Sequence, residues 1–304
     1  MSFNDNVTLD TSQVGSGGSG GGPGGLAVGG GIGGLILLVL SLVFGIPLGG
    51  SDPTTGGALD PGQVPAGGQQ SGDAFAQCRT GADANRDTQC RVIGTVNSVP
   101  AFWPAELPRY GKEWQQTRTV LYSGATQSAC GTASNQVGPF YCPLDRQVYI
   151  DADFFAILEQ QFGSSAGPLA QEYVVAHEYG HALQDQLGLL GRAQQDPQGP
   201  ESGAVRIELM ADCLGGVWAN SASTVPDEDT GTPFLQPLTD QDVQDALSAA
   251  AAVGDDRIQQ ATQGRVTPET WTHGSAEARQ RWFLEGYRTG DLNRCDTFAV
   301  GSVS

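Results

Sequence analysis

Residues Val174–Leu187 read V-V-A-H-E-Y-G-H-A-L-Q-D-Q-L and hold two of the three histidines of this 304-residue chain. His177 and His181 are four apart, so on an α-helix they project from one face, a turn from each other. Two neutral imidazoles at that spacing can grip one Zn²⁺. The adjacent carboxylate, Glu178, can accept a proton from water that the metal acidifies. The flanks supply the helix this chemistry needs. Pro168 suits a first turn and Gly188 a position past the end, which predicts a helix over Pro168–Leu187 with the motif in its middle.

Further elements follow from the same signals. Asp151 or Asp153 can cap a helix that runs to Phe162 and stops at Gly163. Gly203–Ala219 reads as another helix, and Thr239 with Asp242 begins a fourth in capping-box style. Ser275–Thr289 makes a fifth, ended by Gly290. Upstream, Thr119–Tyr122, Pro139–Cys142 and Gln147–Ile150 have strand character, and Gly124–Gly138 reads as loop. Val92–Val99 and Phe102–Trp103 are apolar. The expected fold class is α+β, mostly helical with a small sheet.

A catalytic zinc site needs a third protein ligand and an open position. The helix Gly203–Ala219 carries E-L-M-A-D, with Glu208 and Asp212 on one face. Glu208 is the candidate third ligand, and Asp212 can accept a hydrogen bond from the free ring nitrogen of a ligating histidine. The alternative is a solvated acidic face. His273 is the rival ligand; it could also serve as a donor to a developing oxyanion or as an ordinary structural histidine. Tyr179 and Tyr287 are further oxyanion-donor candidates. Glu172, five before His177, falls on a different face and is expected to be exposed. Gln147–Asp151 is either a sheet edge that aligns an extended substrate or a core strand.

The six cysteines, Cys78, Cys90, Cys130, Cys142, Cys213 and Cys295, include no C-x-x-C pair, which excludes redox motifs and zinc ribbons. Cys78/Cys90 and Cys130/Cys142 suit local disulfides, leaving Cys213/Cys295 as a long-range pair. Six buried thiols are the alternative. The net charge of −18, from 15 basic and 33 acidic residues, speaks against nucleic acid as a partner.

The first quarter of the chain is rich in glycine. Residues 1–25 are expected to be a polar tail, 49–74 a flexible Gly/Pro linker, and 75–304 the folded domain. Leu26–Leu48 contains no charge and has the length of one transmembrane helix, although five glycines dilute its first half. A signal peptide is the rival, but no basic n-region or cleavage site accompanies it. The expectation is a single-pass anchor, with membrane as a partner. If the cysteines are paired, the domain lies outside the cytoplasm.

Four blocks carry a family resemblance: E-Y-V-V-A-H-E-Y-G-H-A-L-Q (172–184), E-L-M-A-D-C-L-G-G-V-W-A (208–219), G-P-F-Y-C-P-L-D-R-Q-V-Y-I-D (138–151) and T-H-G-S-A-E-A-R-Q-R-W-F-L-E-G-Y (272–287). Together, over roughly residues 26–298, they resemble the bacterial putative neutral zinc metallopeptidase family. The resemblance implies a zincin-like fold, a zinc cofactor and hydrolysis of a peptide or protein substrate. It also implies His177, His181 and Glu208 as ligands with Glu178 as base. Two other classes compete: a non-enzymatic, membrane-tethered zinc protein that binds polypeptides or envelope partners, and a zinc hydrolase of some other amide, such as one in cell-wall material.

Overall fold

The computed structural model describes residues 2–17, 74–135 and 137–304, and the helix bearing the histidine motif lies among the elements that pack there. The strands are β1 (Val14–Gly17), β2 (Arg118–Tyr122), β3 (Ala125–Ser128), β4 (Gly131–Ser134), β5 (Phe140–Cys142) and β6 (Gln147–Asp151). Four of them form a sheet in the order β1-β2-β6-β5, in which β1, β2 and β6 are parallel and β5 is antiparallel to β6. The longer helices are α1 (Thr88–Glu106), α2 (Phe154–Phe162), α3 (Pro168–Gln186), α4 (Gly203–Ser221), α5 (Asp240–Ala252), α6 (Asp255–Gln263) and α7 (Ala276–Thr289). This is the mixed α+β class, with the helices predominating.

Local chemistry sets the ends of these helices. Pro168 occupies the first turn of α3, where its missing N–H leaves no helical bond unmade. Thr239 and Asp242 close a reciprocal capping box at α5, and the Ser275 hydroxyl accepts from the Ala278 N–H to start α7. Two elements escape the sequence signals. α1 contains Pro100 and Pro104, which read as helix breakers, yet Val92, Ile93, Val96, Val99, Phe102 and Trp103 all bury on it. The stretch 124–138, expected as loop, contains the β3–β4 hairpin, whose turn is joined to β5 by Cys130–Cys142.

The three disulfides are Cys78–Cys90, Cys130–Cys142 and Cys213–Cys295. The last ties α4 to the segment after α7 across 82 residues, and so constrains the unfolded chain most. The motif helix rests on the sheet through two tyrosines. The Tyr179 hydroxyl is 2.9 Å from Thr119 Oγ1 on β2, and Tyr141 on β5 donates to Asp185 at 2.8 Å. β6 lies between β2 and β5, paired on both sides. Gln147–Tyr149 is therefore paired along both edges, and the core-strand reading holds there, while Ile150 and Asp151 are paired only with β2.

The N-terminal residues depart from the polar tail expected of them. Phe3, Val7, Leu9 and Val14 are buried, and β1 joins the main sheet beside β2. Side-chain amides hold this segment in place: Asn85 bonds both backbone groups of Phe3, and Asn97 bonds both of Asp10. A Cβ on Gly94 would sit 2.7 Å from the Phe3 ring, so only glycine lets the segment lie this close to α1.

That packing corrects the expected membrane anchor. Leu26–Leu48 itself lies outside the described residues. Among the described residues, no helix is long and apolar enough to cross a membrane. A single crossing between residues 17 and 74 would also place the two flanks on opposite sides of a bilayer. Instead, Val14–Gly17 pairs residue by residue with Thr119–Tyr122 in one sheet. The single-pass topology is therefore not supported.

Glu172 is the second correction. It was expected at the surface but is fully buried, because its face of α3 is covered by the N-terminal segment. The Ser2 hydroxyl donates to one carboxylate oxygen, and the other has no hydrogen-bond partner. Burial pushes the Glu172 carboxyl up to about 7, with Ser2 and Arg91 opposing. The folded chain thus holds this proton more tightly than the unfolded chain does. Relative to Glu172→Gln, wild-type stability should be greatest below about pH 4.5 and fall as the pH rises through about 7, by about 3 kcal/mol in total. Urea melts of both proteins at pH 4.5 and 8 measure this. A difference that stays constant with pH would show that Glu172 does not titrate in the fold.

Candidate metal centre

Helix α3 presents His177 and His181 one turn apart, and α4 crosses beside it. Gly180, between the two histidines, is what permits the crossing: a Cβ there would be 3.1 Å from the Ala211 backbone. The close approach brings Glu208 to the histidines. His177 Nε2 is 3.2 Å from Glu208 Oε2, and His181 Nε2 is 3.4 Å from Glu208 Oε1. One ligand atom from each of the three buried residues lies within 4.8 Å of the others. Two donors about 2.05 Å from one ion at the tetrahedral angle stand roughly 3.3 Å apart, so these separations suit zinc.

The outer ring nitrogens are already engaged. His177 Nδ1 is 2.8 Å from Asp212 Oδ1, and His181 Nδ1 is 2.8 Å from the Gln184 side-chain oxygen. Gln184 is itself anchored by donating to the Ile207 carbonyl on α4 at 2.7 Å. A proton on each Nδ1 leaves each Nε2 lone pair pointing inward, the tautomer a metal requires.

Asp212 is held by α7. The Arg279 guanidinium grips it in a two-pronged contact, Nε to Oδ2 and Nη2 to Oδ1, each at 2.9 Å. The Tyr173 hydroxyl also donates to Asp212 Oδ1 and accepts from Arg279 Nη2 at 3.3 Å. All of these groups are buried. Burial works against the Asp212 anion, but Arg279 and His177 outweigh it and hold the carboxyl below its usual range. Burial likewise opposes the Glu208 anion, and His181, His273 and His177 hold it well below. Glu178 behaves differently. Burial raises its pKa, with His177 and His181 opposing, so it is the carboxyl here most inclined to take up a proton. Three carboxylates share this pocket with Arg279, and a divalent cation completes the balance of charge.

Against known proteins, the family described as putative neutral zinc metallopeptidase matches residues 2–298. The chain belongs to this family. Its relatives include the uncharacterized protein Rv2575 of Mycobacterium tuberculosis, 61% identical over 229 residues, which span 75% of this chain and 77% of that protein. The uncharacterized protein YpfJ of Escherichia coli is 38% identical over 274 residues, spanning 88% of this chain and 87% of that protein. No solved structure matches the chain.

Within this metallopeptidase family member, the structure brings His177, His181, Glu208 and Asp212 together. His273 does not join their ligand group. It stands nearby, on a loop before α7, and its charge is felt by Glu208. The two tyrosine candidates lie elsewhere. Tyr179 is buried on the sheet side of α3 beside Trp114, and Tyr287 stacks on Phe283, two turns along α7 from Arg279. Sequence reasoning missed Gln184, Tyr173 and Arg279. Gln184 carried a usable signal, three residues after His181 and so on the same face of a helix. Arg279 carried none, because it reaches Asp212 only through the packing of α7 on α4.

Proposed function

We propose that this chain hydrolyses peptide bonds in protein or peptide substrates, with His177, His181 and Glu208 holding zinc and Glu178 as the general base. One observation carries the reading. Two imidazoles and a carboxylate bring one ligand atom each to within 4.8 Å of one another, and the residue next to the first histidine is a buried carboxyl with a raised pKa. When bound, zinc supplies Lewis acidity that polarises a carbonyl and acidifies water.

The chain's own groups do the rest. Glu178 takes a proton from the attacking water and passes it to the departing amine, which its raised pKa favours. Asp212 keeps the His177 tautomer fixed through the cycle, and Arg279 prevents Asp212 from turning away. Gln184 does the same for His181.

The test is incubation of the full chain with unfolded casein, with zinc, with a chelator, and with zinc restored. The expected outcome is cleavage that the chelator stops and zinc recovers. A zinc-loaded protein that leaves casein and several other unfolded proteins intact would overturn the reading, in favour of a zinc protein that binds without cutting or hydrolyses another amide.

A further inference from the structure

One carboxylate holds the loop that precedes α7. Asp255, the first residue of α6, is buried, and its Oδ2 accepts the backbone N–H groups of Thr272 at 2.7 Å, His273 at 2.7 Å and Gly274 at 3.0 Å. Its own N–H donates to the Gly274 carbonyl at 2.9 Å. The other oxygen, Oδ1, lies 3.4 Å from His273 Nδ1, and the Thr272 hydroxyl is 3.0 Å from that same nitrogen. Three amides converging on one oxygen fix the loop, and the acceptors beside Nδ1 favour a proton there. No hydrogen bond engages Nε2 among the described residues. The side chain keeps 16% of its surface exposed.

The loop packs on α4 around the third candidate ligand. A Cβ on Gly274 would lie 3.2 Å from Val205 and 3.3 Å from Leu209, which flank Glu208 on its helix. The charged groups that face His273 are Glu208 from α4, Asp255 from α6 and Arg279 from α7. Burial works against the imidazolium and Arg279 adds to that, but Glu208 and Asp255 outweigh both and raise the pKa. The third histidine is thus a partly exposed donor, aligned by a buried carboxylate, at the rim of the metal centre.

We propose that His273, as the imidazolium with its Nδ1–H turned toward Asp255, donates a hydrogen bond from Nε2 to the substrate carbonyl oxygen as negative charge develops there, and that Asp255 is the positioning residue that aims it. The proton stays on nitrogen throughout, so no bond is made or broken at His273. The assignment rests on the peptidase reading and deepens it. A preorganised donor at a developing oxyanion is worth roughly 10²–10³ in rate.

The test compares full-length, zinc-loaded His273→Ala, His273→Gln and Asp255→Asn with wild type. His273→Ala should lower kcat by roughly 10²–10³-fold, with KM and zinc content near wild type. Its affinity for a phosphonopeptide, a tetrahedral anion, should fall with kcat. His273→Gln, which keeps a neutral donor, should recover part of both. In Asp255→Asn the His273 ring, followed by NMR, should titrate at lower pH than in wild type, and the alkaline limb of the rate profile should move with it.

Zinc lost in His273→Ala, or kcat within about threefold of wild type, overturns the assignment. An unshifted His273 titration in a folded Asp255→Asn removes Asp255 from it. If wild type cleaves while His273→Ala is unimpaired, this inference fails alone. If wild type neither cleaves peptides nor binds the phosphonopeptide, the peptidase reading fails with it.

Discussion

Glu178→Gln should lose roughly 10²–10⁴-fold in kcat while binding zinc as wild type does. The side chain is nearly isosteric, and Glu178 lies outside the three-residue donor group, so the substitution removes no ligand. Stability should hold or rise slightly, because burial already disfavours the Glu178 anion and an amide removes that cost. Only the proton transfer is removed. Turnover of a fluorogenic peptide, measured beside metal content by atomic absorption, separates the two effects. A variant that keeps turnover within about tenfold of wild type would exclude Glu178 as the base.

Glu208→Ala should act one step earlier, on the metal itself. Structural zinc sites bind with roughly 10–16 kcal/mol shared among their ligands, so one lost ligand costs on the order of 3 kcal/mol. That corresponds to about 10²–10³ in zinc affinity. The two imidazoles stay oriented by Asp212 and Gln184, so residual binding should persist at high zinc. Competition with a chromophoric chelator gives the affinity directly. His273→Ala is the matched control. If zinc survives the loss of Glu208 and disappears with His273, the ligand set is wrong. If neither substitution changes the affinity, the ion sits elsewhere.

The parts legible in the sequence are those written in local spacing. His177, Glu178 and His181 sit within five residues, and Glu208 and Asp212 repeat the same i, i+4 geometry on a second helix. The helices α2, α3, α4, α5 and α7 have caps or breakers at their ends. What stayed hidden depends on tertiary contact. Arg279 touches Asp212 across two helices, and Asp255 reaches His273 from a polar helix with almost no apolar signature. Glu172 looked solvent-facing because the segment that covers it lies 170 residues away in sequence. The N-terminal residues looked like a tail because four apolar side chains in a polar stretch show neither helical nor strand periodicity. The disulfide pairing was readable from separation along the chain, as was the family from four separated blocks.

The pairing of β1 with β2 has a consequence for biosynthesis. Val14 aligns with Thr119, about 105 residues later, so the first strand leaves the ribosome long before its partner exists. At translation rates of roughly 5–20 residues per second, that interval is on the order of 5–20 s. Phe3, Val7, Leu9 and Val14 therefore stay exposed through much of synthesis. The Leu235 backbone that Phe3 bridges emerges later still. Among the described residues this segment is thus one of the earliest made and one of the last to find its place, with its apolar side chains exposed in the interval.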